Sequence, residues 1–378
     1  MDIKDCRNEI DRIDGQLQKL FEQRMQMAAE ISRLKSQKSI STVNAERERE
    51  ILLRVDGRAT PDLRLYSRVL FTTLFDLSRS YQNRLRHPAG AVSDVIAKAR
   101  RRDGLPDRGQ IACQGVEGAY SQQACDKLFA LPGITYFRSF AGVAQAVEQG
   151  LCQYGVLPIE NSSHGTVNAV YDLVRDHRFF IVRSLKLHVR HSLLANPGTM
   201  LEDVREIISH EQAIGQCSRF LKDHPGIRVT ATENTALAAK MVAESGRHDL
   251  AAISSARCAE LYNLEVVDDH VQNSDNNYTR FICISKELEI YPGANRISLM
   301  MSLPHRPGAL YSIIAKFAAL GLNLTKLESR PVPGSDFEFL FYFDLESSVD
   351  SPETLSVLNE LAAVPSERFV FLGNYSEL

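Results

Sequence analysis

The sequence has 378 residues, which at roughly 100–200 residues per domain predicts two or three domains. Hydrophobic residues make up 44% and charged residues 24%, which is ordinary globular usage and excludes a disordered or fibrous chain. No apolar run reaches the ~18 residues of a membrane helix, and the charged start MDIKDCRNEIDRIDG does not fit a secretory signal, so we expect a cytoplasmic protein with no membrane segment.

The seven cysteines are scattered and contain no C-x-x-C pair, which predicts neither a disulfide framework nor a zinc site. The net charge of −3 is the sum of two regions of opposite charge. Residues 1–108 hold 22 Lys/Arg and 16 Asp/Glu, whereas the remaining residues hold 22 and 31. A basic first third is typical of binding to nucleic acid or to a small anion.

Residues 3–38 repeat apolar side chains every seven residues and contain no proline, which predicts one long helix with an apolar seam. The seam has two rows: Ile3, Ile10, Leu17, Arg24 and Ile31, then Cys6, Ile13, Leu20, Met27 and Leu34. Arg24 is the exception. It is either a polar residue that sets coiled-coil register, a side chain that reaches solvent, or a cation that needs an anionic partner.

The position of two further cations favours the third interpretation of Arg24. Lys35 lies on the same stripe, ~16 Å along the helix at 1.5 Å per residue. Arg7 lies ~25 Å from Arg24 in the other direction, too far to share a small ligand unless it comes from a second subunit.

Two more helices are predicted in the first 85 residues. One runs from Val43 to about Val55 and carries Asn44, Arg47 and Glu48 in a run of alternating charge that is typical of a solvated face. The other begins at Pro61-Asp62 and ends near Arg84. Its Ser78 and Gln82 are four residues apart, on one face.

The order and spacing of seven polar residues in this region resemble the binding residues of the all-helical chorismate mutase family. They are Arg7, Arg24, Lys35, Arg47, Glu48, Ser78 and Gln82. The resemblance implies two interlocked subunits, an arginine contributed by the partner to each site, and the rearrangement of chorismate to prephenate. That reaction is pericyclic and needs no nucleophile, so catalysis consists of holding the compact conformer and stabilising charge on the ether oxygen.

The resemblance also implies roles for single residues of the mutase region. Arg7 and Arg24 would bind carboxylates, Lys35 and Gln82 would address the ether oxygen, and Glu48 would accept the ring hydroxyl. Asn44 stands where the family usually has Asp, and the loop before the third helix is short, so a less efficient mutase is an open alternative.

Residues 88–109 are expected to form a linker that is partly helical at 91–102. Its basic cluster KARRR is not interleaved with aromatic residues, so no nucleic-acid partner is expected. Residues 110–287 then alternate β-rich and helical runs, which predicts an α/β domain with two sheet halves. Neither G-x-G-x-x-G nor a P-loop occurs, which argues against nicotinamide or nucleotide cofactors.

Polar residues cluster at four predicted strand-to-helix turns. These are GVEGAYS at 115–121, IENSSHG at 159–165, SHEQ at 209–212 and TENT at 232–235. Each one alone is typical of helix capping. Together, in two halves, they predict a cleft that binds a carboxylated molecule.

With these turns, the run Asn277-Tyr278-Thr279-Arg280-Phe281 resembles the T-R-F motif of prephenate dehydratases. The resemblance implies decarboxylation and dehydration of prephenate to phenylpyruvate, with Thr279 as hydrogen-bond donor to the departing hydroxyl. It also implies that Asn161, Ser209 and Gln216 order the site and that Arg280 lies near the substrate carboxylates. Glu160 and His210 are weaker candidates for the proton donor, since such groups at turns are usually structural.

Residues 296–378 follow the order β-α-β-β-α-β, which predicts a ferredoxin-like α+β domain. Pro-Gly-Ala-Leu at 307–310 and Glu-Ser-Arg-Pro at 328–331 resemble the ACT regulatory domain that senses phenylalanine. The resemblance implies phenylalanine binding, usually between two subunits, and feedback inhibition. The residues expected to bind it are Gly308, Ala309, Leu310, Glu328, Ser329 and Arg330.

The sequence is therefore interpreted as three domains: an all-α domain at 1–87, a two-lobed α/β domain at 110–287 and an α+β domain at 296–378. The expected protein is a bifunctional homodimeric enzyme of phenylalanine biosynthesis that uses no metal or organic cofactor. Two alternatives are a dehydratase with a degenerate mutase domain and a sensor that binds its ligands without turnover.

Overall fold

The computed structural model describes residues 2–37, 44–86, 90–332, 338–363 and 368–378. The chain divides into two compact units, one of residues 1–98 and 299–371 and the other of residues 99–298 and 372–378. This division differs from the expected one. The carboxyl-terminal region falls mostly in the same unit as the amino-terminal helices, and the last seven residues belong to the α/β unit.

The elements are as follows in chain order. The helices are α1 (Ile3–Gln37), α2 (Ala45–Arg58), α3 (Arg64–Arg86), α4 (Ala91–Ala97), α5 (Tyr120–Leu128), α6 (Phe140–Glu148), α7 (Asn168–Asp176), α8 (Glu211–Gln216), α9 (Ser218–Asp223), α10 (Thr235–Ser245), α11 (Arg257–Tyr262), α12 (Ala309–Ala319) and α13 (Pro352–Ala362). The strands are β1 (Arg100–Arg101), β2 (Arg108–Gln114), β3 (Leu131–Phe137), β4 (Tyr154–Asn161), β5 (Gly165–Thr166), β6 (Phe180–His188), β7 (Ser192–Ala195), β8 (Glu206–His210), β9 (Arg228–Thr232), β10 (Leu250–Ser254), β11 (Glu265–Asp268), β12 (Tyr278–Ser285), β13 (Glu289–Ile290), β14 (Arg296–Ser302), β15 (Asn323–Pro331), β16 (Phe339–Glu346) and β17 (Phe369–Tyr375).

The long first helix is present as the heptad pattern predicts, and it packs on α3. Its apolar seam nevertheless lies in solvent within one chain, where Leu17 and Leu20 are 54% and 60% exposed. The predicted start of α2 at Val43 lies outside the described residues. The helix is seen from Ala45, and the Asn44 side chain caps it by accepting from the Arg47 N–H at 3.0 Å.

The α/β unit contains two main sheets, as the sequence predicts. The first has strand order β3-β2-β4-β12-β6, with β5 paired to β4, and the second has order β11-β7-β10-β8-β9. Each sheet buries its own apolar cluster, built on Ile111 and Phe281 in the first and on Leu193 and Ile253 in the second. The strand β7 was not predicted, because its short apolar run at 193–195 follows β6 with no Gly, Pro, Asn or Asp between them.

The carboxyl-terminal region has the predicted element order, and its strands form a four-stranded sheet with order β15-β16-β14-β17. Strand β15 is therefore an edge of that sheet. Helix α12 begins at Gly308, whose backbone φ of 82° lies in the left-handed region that favours glycine. Within the residues that the structure describes, no helix is both long and apolar enough to cross a membrane.

Candidate functional site

A cavity of about 570 Å³ lies in the α/β unit between the two sheets. Its walls are the ends of strands and the starts of helices, as expected for a ligand site in an open α/β fold. The first lobe contributes Asn161 and Thr279, and the second contributes Gln216. Three of the five residues predicted for the dehydratase site are thus brought together on one cavity.

Thr279 is held by a hydrogen bond that fixes the direction of its hydroxyl. Asn161 lies opposite Thr279 in the β4–β12 register, and its Nδ2 donates to Thr279 Oγ1 at 2.9 Å. The other end of the Asn161 amide accepts from the backbone N–H groups of Ser163 and His164 at 2.9 and 3.0 Å. Because Thr279 accepts from Asn161, its own hydroxyl hydrogen is left to donate to a molecule in the cavity.

Gln216 is linked to His191, which the sequence reasoning missed. The Nε2 of His191 lies 2.8 Å from Oε1 of Gln216, and its Nδ1 lies 3.2 Å from the Tyr120 hydroxyl. Burial lowers the pKa of His191, with a smaller opposing effect of Gln216, so the ring is neutral at pH 7. Its place in the run RHSLLA, just before the unpredicted strand β7, gave no signal of a site residue.

Ser209 lies behind the cavity wall. Its hydroxyl is fully buried and donates to the carbonyl of Ile253 at 2.6 Å, which ties β8 to β10. From this position Ser209 orders the second sheet and does not contact a ligand in the cavity.

The expected contact of Arg280 with substrate carboxylates needs correction. Arg280 is buried, its Nε lies 3.1 Å from a Glu377 carboxylate oxygen, and its NH2 donates to the Tyr375 hydroxyl at 2.9 Å. Successive side chains of a strand point to opposite faces, so a Thr279 that faces the cavity directs its neighbour away from it. Arg280 therefore holds the carboxyl-terminal tail.

Glu377 is the centre of that tail contact. Lys186 and Arg296 also lie within 3.1 Å of its carboxylate. Burial acts to raise the pKa of Glu377, but the three cations together lower it below the ordinary value. The tail backbone pairs with β6 as well, since the Leu378 N–H donates to the Ser184 carbonyl at 2.9 Å.

The two weaker proton-donor candidates differ in position. His210 lines the cavity, where its Nδ1 accepts from the Gln212 N–H at 3.3 Å, and burial lowers its pKa against a smaller effect of Glu211. Glu160 lies opposite Arg280 in the β4–β12 register and is not part of the described cavity wall.

A second group of polar residues lies between α1 and α3. Arg24 donates to the Leu74 carbonyl at 3.0 Å and to the Ser78 hydroxyl, and burial lowers its pKa. Gln82 is only 7% exposed, and its Oε1 has no hydrogen-bond partner within the part of the chain that the structure describes. Leaving such an oxygen unsatisfied costs about 1–3 kcal/mol, so the group is suited to an additional ligand.

The remaining mutase residues are not assembled into this group. Lys35 is half-buried, whereas Arg7 is exposed and lies far along the same helix. Arg47 pairs with the exposed Glu50 at 2.5 Å. Asn44 serves as the α2 cap already described.

Glu48 binds Arg79, a cation that the sequence reasoning missed. Arg79 also binds Asp76, and although burial acts to lower its pKa, the two carboxylates raise it. Arg79 follows Ser78 directly, but a single arginine within the run LSRSYQNRLR carries no distinguishing pattern.

A cavity of about 610 Å³ adjoins the start of α12. Ala309 and Leu310 line it, together with Phe339 and Phe341. The other expected phenylalanine-binding residues, Glu328, Ser329 and Arg330, lie on the edge strand β15 and are not part of the described wall. Gly308 sets the turn before α12 without lining this cavity.

Among the described residues, one group has the geometry to hold a metal ion: Asp268, Asp269 and His270. It is largely exposed and lies outside the cavities described above. Exposed acidic clusters are common without an ion, and nothing links this one to the candidate sites.

Comparison with known families identifies two segments of the chain. The family described as prephenate dehydratase matches residues 111–289, and the family described as chorismate mutase type II matches residues 6–83. The two matches contain the α/β cavity and the helical group of polar residues, respectively.

Similar proteins cover either part or nearly all of the chain. The arogenate dehydratase/prephenate dehydratase 2 of Arabidopsis thaliana is 39% identical over 67% of this chain and 69% of its own length. The bifunctional chorismate mutase/prephenate dehydratase of Escherichia coli is 29% identical over 98% of this chain and 95% of its own length.

Two solved structures resemble about 71% of this chain. A protein described as a quorum-quenching acylase has a TM-score of 0.63 and 31% identity, and the match covers 98% of it. The prephenate dehydratase of Arthrobacter aurescens, solved in complex with L-Phe, has a TM-score of 0.63 and 26% identity, and the match covers 90% of it.

Proposed function

Because the chain belongs to the prephenate dehydratase family and also carries a type II chorismate mutase domain, we propose that its two reactions take place at two separate sites. The enzyme rearranges chorismate to prephenate and converts prephenate to phenylpyruvate in phenylalanine biosynthesis. The observation that carries the proposal is the separation of the two residue groups. Arg24, Ser78 and Gln82 lie in one compact unit, and Asn161 and Thr279 lie in the other.

At the mutase site, Arg24 binds a carboxylate of chorismate. In the free chain its guanidinium contacts the neutral oxygens of Leu74 and Ser78, so an anion gains charge-assisted hydrogen bonds that these do not supply. Lys35 and Gln82 donate to the ether oxygen, where negative charge develops in the transition state. Glu48, oriented by Arg79, accepts the ring hydroxyl.

At the dehydratase site, Thr279 donates a hydrogen bond to the ring hydroxyl that departs. Asn161 orients Thr279, so the donor is already directed before the substrate binds. The aromaticity gained when carbon dioxide and water leave provides the thermodynamic drive. The enzyme contributes by orienting prephenate and by stabilising the departing oxygen.

The mutase site is completed by a second copy of the chain. The apolar rows of α1 lie in solvent, and a contiguous exposed apolar surface of this kind is typical of an interface. The 35 residues of α1 span ~52 Å, so Arg7 of one copy can reach the neighbourhood of Arg24 of the other when two such helices pack antiparallel. Leu17 and Leu20 lie midway between these arginines.

Phenylalanine binds at the start of α12 and slows the dehydratase. The 610 Å³ cavity combines apolar Phe339 and Phe341 with the backbone of the ACT-like turn at Ala309. Glu328, Ser329 and Arg330 contribute from the edge strand of a second copy, because an edge strand is free to approach another chain. The coupling is reciprocal, so substrate weakens phenylalanine binding by the same factor.

The proposal is tested by assaying both reactions on two variants. Arg24→Ala removes the carboxylate contact and is expected to slow chorismate loss by about 100-fold or more, while prephenate conversion keeps its rate. Thr279→Val keeps the shape of the side chain, removes its hydroxyl, and is expected to have the reverse effect by a similar factor.

Circular dichroism and thermal unfolding of each variant are the folding controls, because the spared activity reports only the unit that does not carry the substitution. Equal loss of both activities in both folded variants would show that the sites are not separate. A wild-type protein that converts prephenate but not chorismate would favour the alternative of a degenerate mutase domain.

A further inference from the structure

A chain of four side chains runs along the wall of the α/β cavity. Tyr120 contacts His191, His191 contacts Gln216, and Gln216 contacts His164, with Gln216 Nε2 lying 3.1 Å from His164 Nδ1. All four line the cavity that contains Thr279. The mechanism proposed above uses neither histidine.

The positions of the hydrogens in these four hydrogen-bonded side chains follow from counting the donors that each side chain has. The Tyr120 hydroxyl has a single hydrogen, and it donates that hydrogen to the backbone carbonyl of Arg190. The hydrogen in the contact between Tyr120 and His191 must therefore come from Nδ1 of His191. A buried, neutral His191 has only this one N–H, so its Nε2 is an acceptor.

The acceptor on His191 determines the orientation of Gln216. Only the NH2 end of the amide can donate to His191 Nε2, and the two ends of a side-chain amide have nearly the same shape. We therefore assign the NH2 end of the Gln216 amide to His191 and its carbonyl end to Nδ1 of His164, which exchanges the two ends relative to the atoms named above. Nδ1 of His164 must then carry a hydrogen and donate it to Gln216.

A carbonyl acceptor at Nδ1 fixes the plane of the His164 ring and leaves Nε2 as the nitrogen that can carry a proton to a molecule in the cavity. His164 is also exposed, so its ring can recover a proton from solvent. Its backbone N–H is bound to the same Asn161 that holds Thr279. Asn161 thus holds both the Thr279 hydroxyl and the backbone of His164.

We propose that His164 is the catalytic acid of the dehydratase reaction, with Gln216, His191 and Tyr120 as positioning residues. The proposal rests on the function assigned to this cavity. The bond between the ring and its carboxylate breaks, and its electron pair completes the aromatic ring. The ring C–O bond breaks with its pair on oxygen, which takes the Nε2 proton of His164 and leaves as water.

The surroundings of His164 support a pH-dependent role. The other titratable groups on the described cavity wall are Tyr120, His191, His210 and Glu233, of which only Glu233 is charged near neutral pH when both buried imidazoles are unprotonated. On its other side, His164 adjoins a 260 Å³ cavity whose other lining residues are uncharged: Ser163, Gly215, Gln216, Gln272, Asn273, Ser274 and Asn277. The carboxylate of Asp275 accepts from the lining residue Gln272. Because a general acid must hold its proton before the reaction, the rate of prephenate conversion is expected to fall at alkaline pH.

The test is the pH dependence of prephenate conversion by the full-length wild type, His164→Gln and His164→Ala. His164→Gln is expected to lower kcat by about 100-fold, with little change in KM, and to abolish the fall in rate at high pH. Added imidazole is expected to restore part of the activity of His164→Ala, in proportion to the imidazolium concentration. His191→Leu removes the group that orients Gln216 and is expected to lower kcat while leaving KM unchanged.

Thermal unfolding followed by circular dichroism reports the folding of each variant. The matched exchange is His224→Gln, at a histidine whose ring contacts the Phe220 carbonyl at the end of α9. A His164→Gln enzyme that keeps more than one tenth of kcat and the same alkaline fall would overturn the acid role. A kcat unchanged by His191→Leu would overturn the positioning role. A wild type that does not convert prephenate would instead contradict the function proposed for the cavity.

Discussion

The helical region and the α/β unit bring their site residues together to very different degrees. In the α/β unit, Asn161, Gln216 and Thr279 meet on one cavity within a single chain, already joined to their neighbours by hydrogen bonds. In the helical region, Arg24 is half-buried, whereas Arg7 lies exposed far along the same helix. One copy therefore brings the α/β residues together, whereas the distance between Arg7 and Arg24 on one helix is the reason for our proposal that the mutase site needs two copies.

The largest expected effect comes from charging the exposed seam of α1. Leu20→Glu places a carboxylate in the proposed interface, where an unpaired charge is strongly disfavoured, so the chain should become monomeric and lose mutase activity by about 100-fold or more. Dehydratase activity per chain should change by less than about twofold, since that site does not use the seam. Light scattering after size exclusion and the two assays measure this.

The matched control for the seam is Gln18→Glu, which adds the same charge on α1 two residues away, outside the apolar rows. It should leave both assembly and mutase activity unchanged. A monomeric Leu20→Glu protein with full mutase activity would refute the difference between the two regions.

An effect of intermediate size is expected at the carboxyl-terminal tail. It tests whether contacts within the α/β unit, including those of the tail, stabilise that unit. Glu377→Gln removes a carboxylate bound by Lys186, Arg280 and Arg296 and should destabilise this unit by about 2 kcal/mol. Thermal unfolding followed by circular dichroism measures the loss. Glu202→Gln, at an exposed turn, is the control and should have little effect.

The same contact predicts a pH dependence. The folded pKa of Glu377 is lowered, so its contribution to stability is present above the unfolded value of about 4.3 and is lost as pH falls through the lower folded value. Glu377→Gln should therefore lose less stability than the wild type over that acid range. Equal acid sensitivity of the two proteins would show that the tail carboxylate is not the group responsible.

The smallest expected effect concerns regulation. Alanine at Gly308 must adopt a φ of 82°, a strain of about 1–2 kcal/mol, so the turn beside the 610 Å³ cavity should shift. The phenylalanine concentration for half inhibition should rise about tenfold, with the uninhibited rate unchanged. Gly198→Ala carries a similar φ of 81° in the α/β unit and should leave the phenylalanine response intact.

Much of the fold follows from local patterns in the sequence. The seven-residue repeat of apolar residues predicts α1, and the order of elements from β14 to β17 follows from alternating and helical periodicities. Strand β7 was missed because no turn residue separates its apolar run from β6. Assignment of the last seven residues to the α/β unit depends on contacts with residues some 80–190 positions away, which local periodicity does not report.

Site residues could be predicted from the sequence where they belong to a known family motif. Thr279 and Asn161 are adjacent as expected, whereas Arg280 points to the opposite face of the same strand and binds Glu377. His164, His191 and Arg79 were not singled out as site residues, because the contacts of each include a partner distant in sequence. The spacing of such residues in the sequence does not indicate that they are in contact, and only the folded structure shows it.

The most direct test of the difference between the two regions is a mixture of two mutase variants. Arg7→Ala and Arg24→Ala should each be inactive alone, but a hybrid dimer pairs one chain's intact Arg24 with the other's intact Arg7. Half of the dimers in an equal, re-equilibrated mixture are hybrids with one complete site of two, so about a quarter of the wild-type mutase activity should return. Dehydratase activity should stay constant throughout, and a mixture that equilibrates but recovers no mutase activity would contradict a site shared between copies.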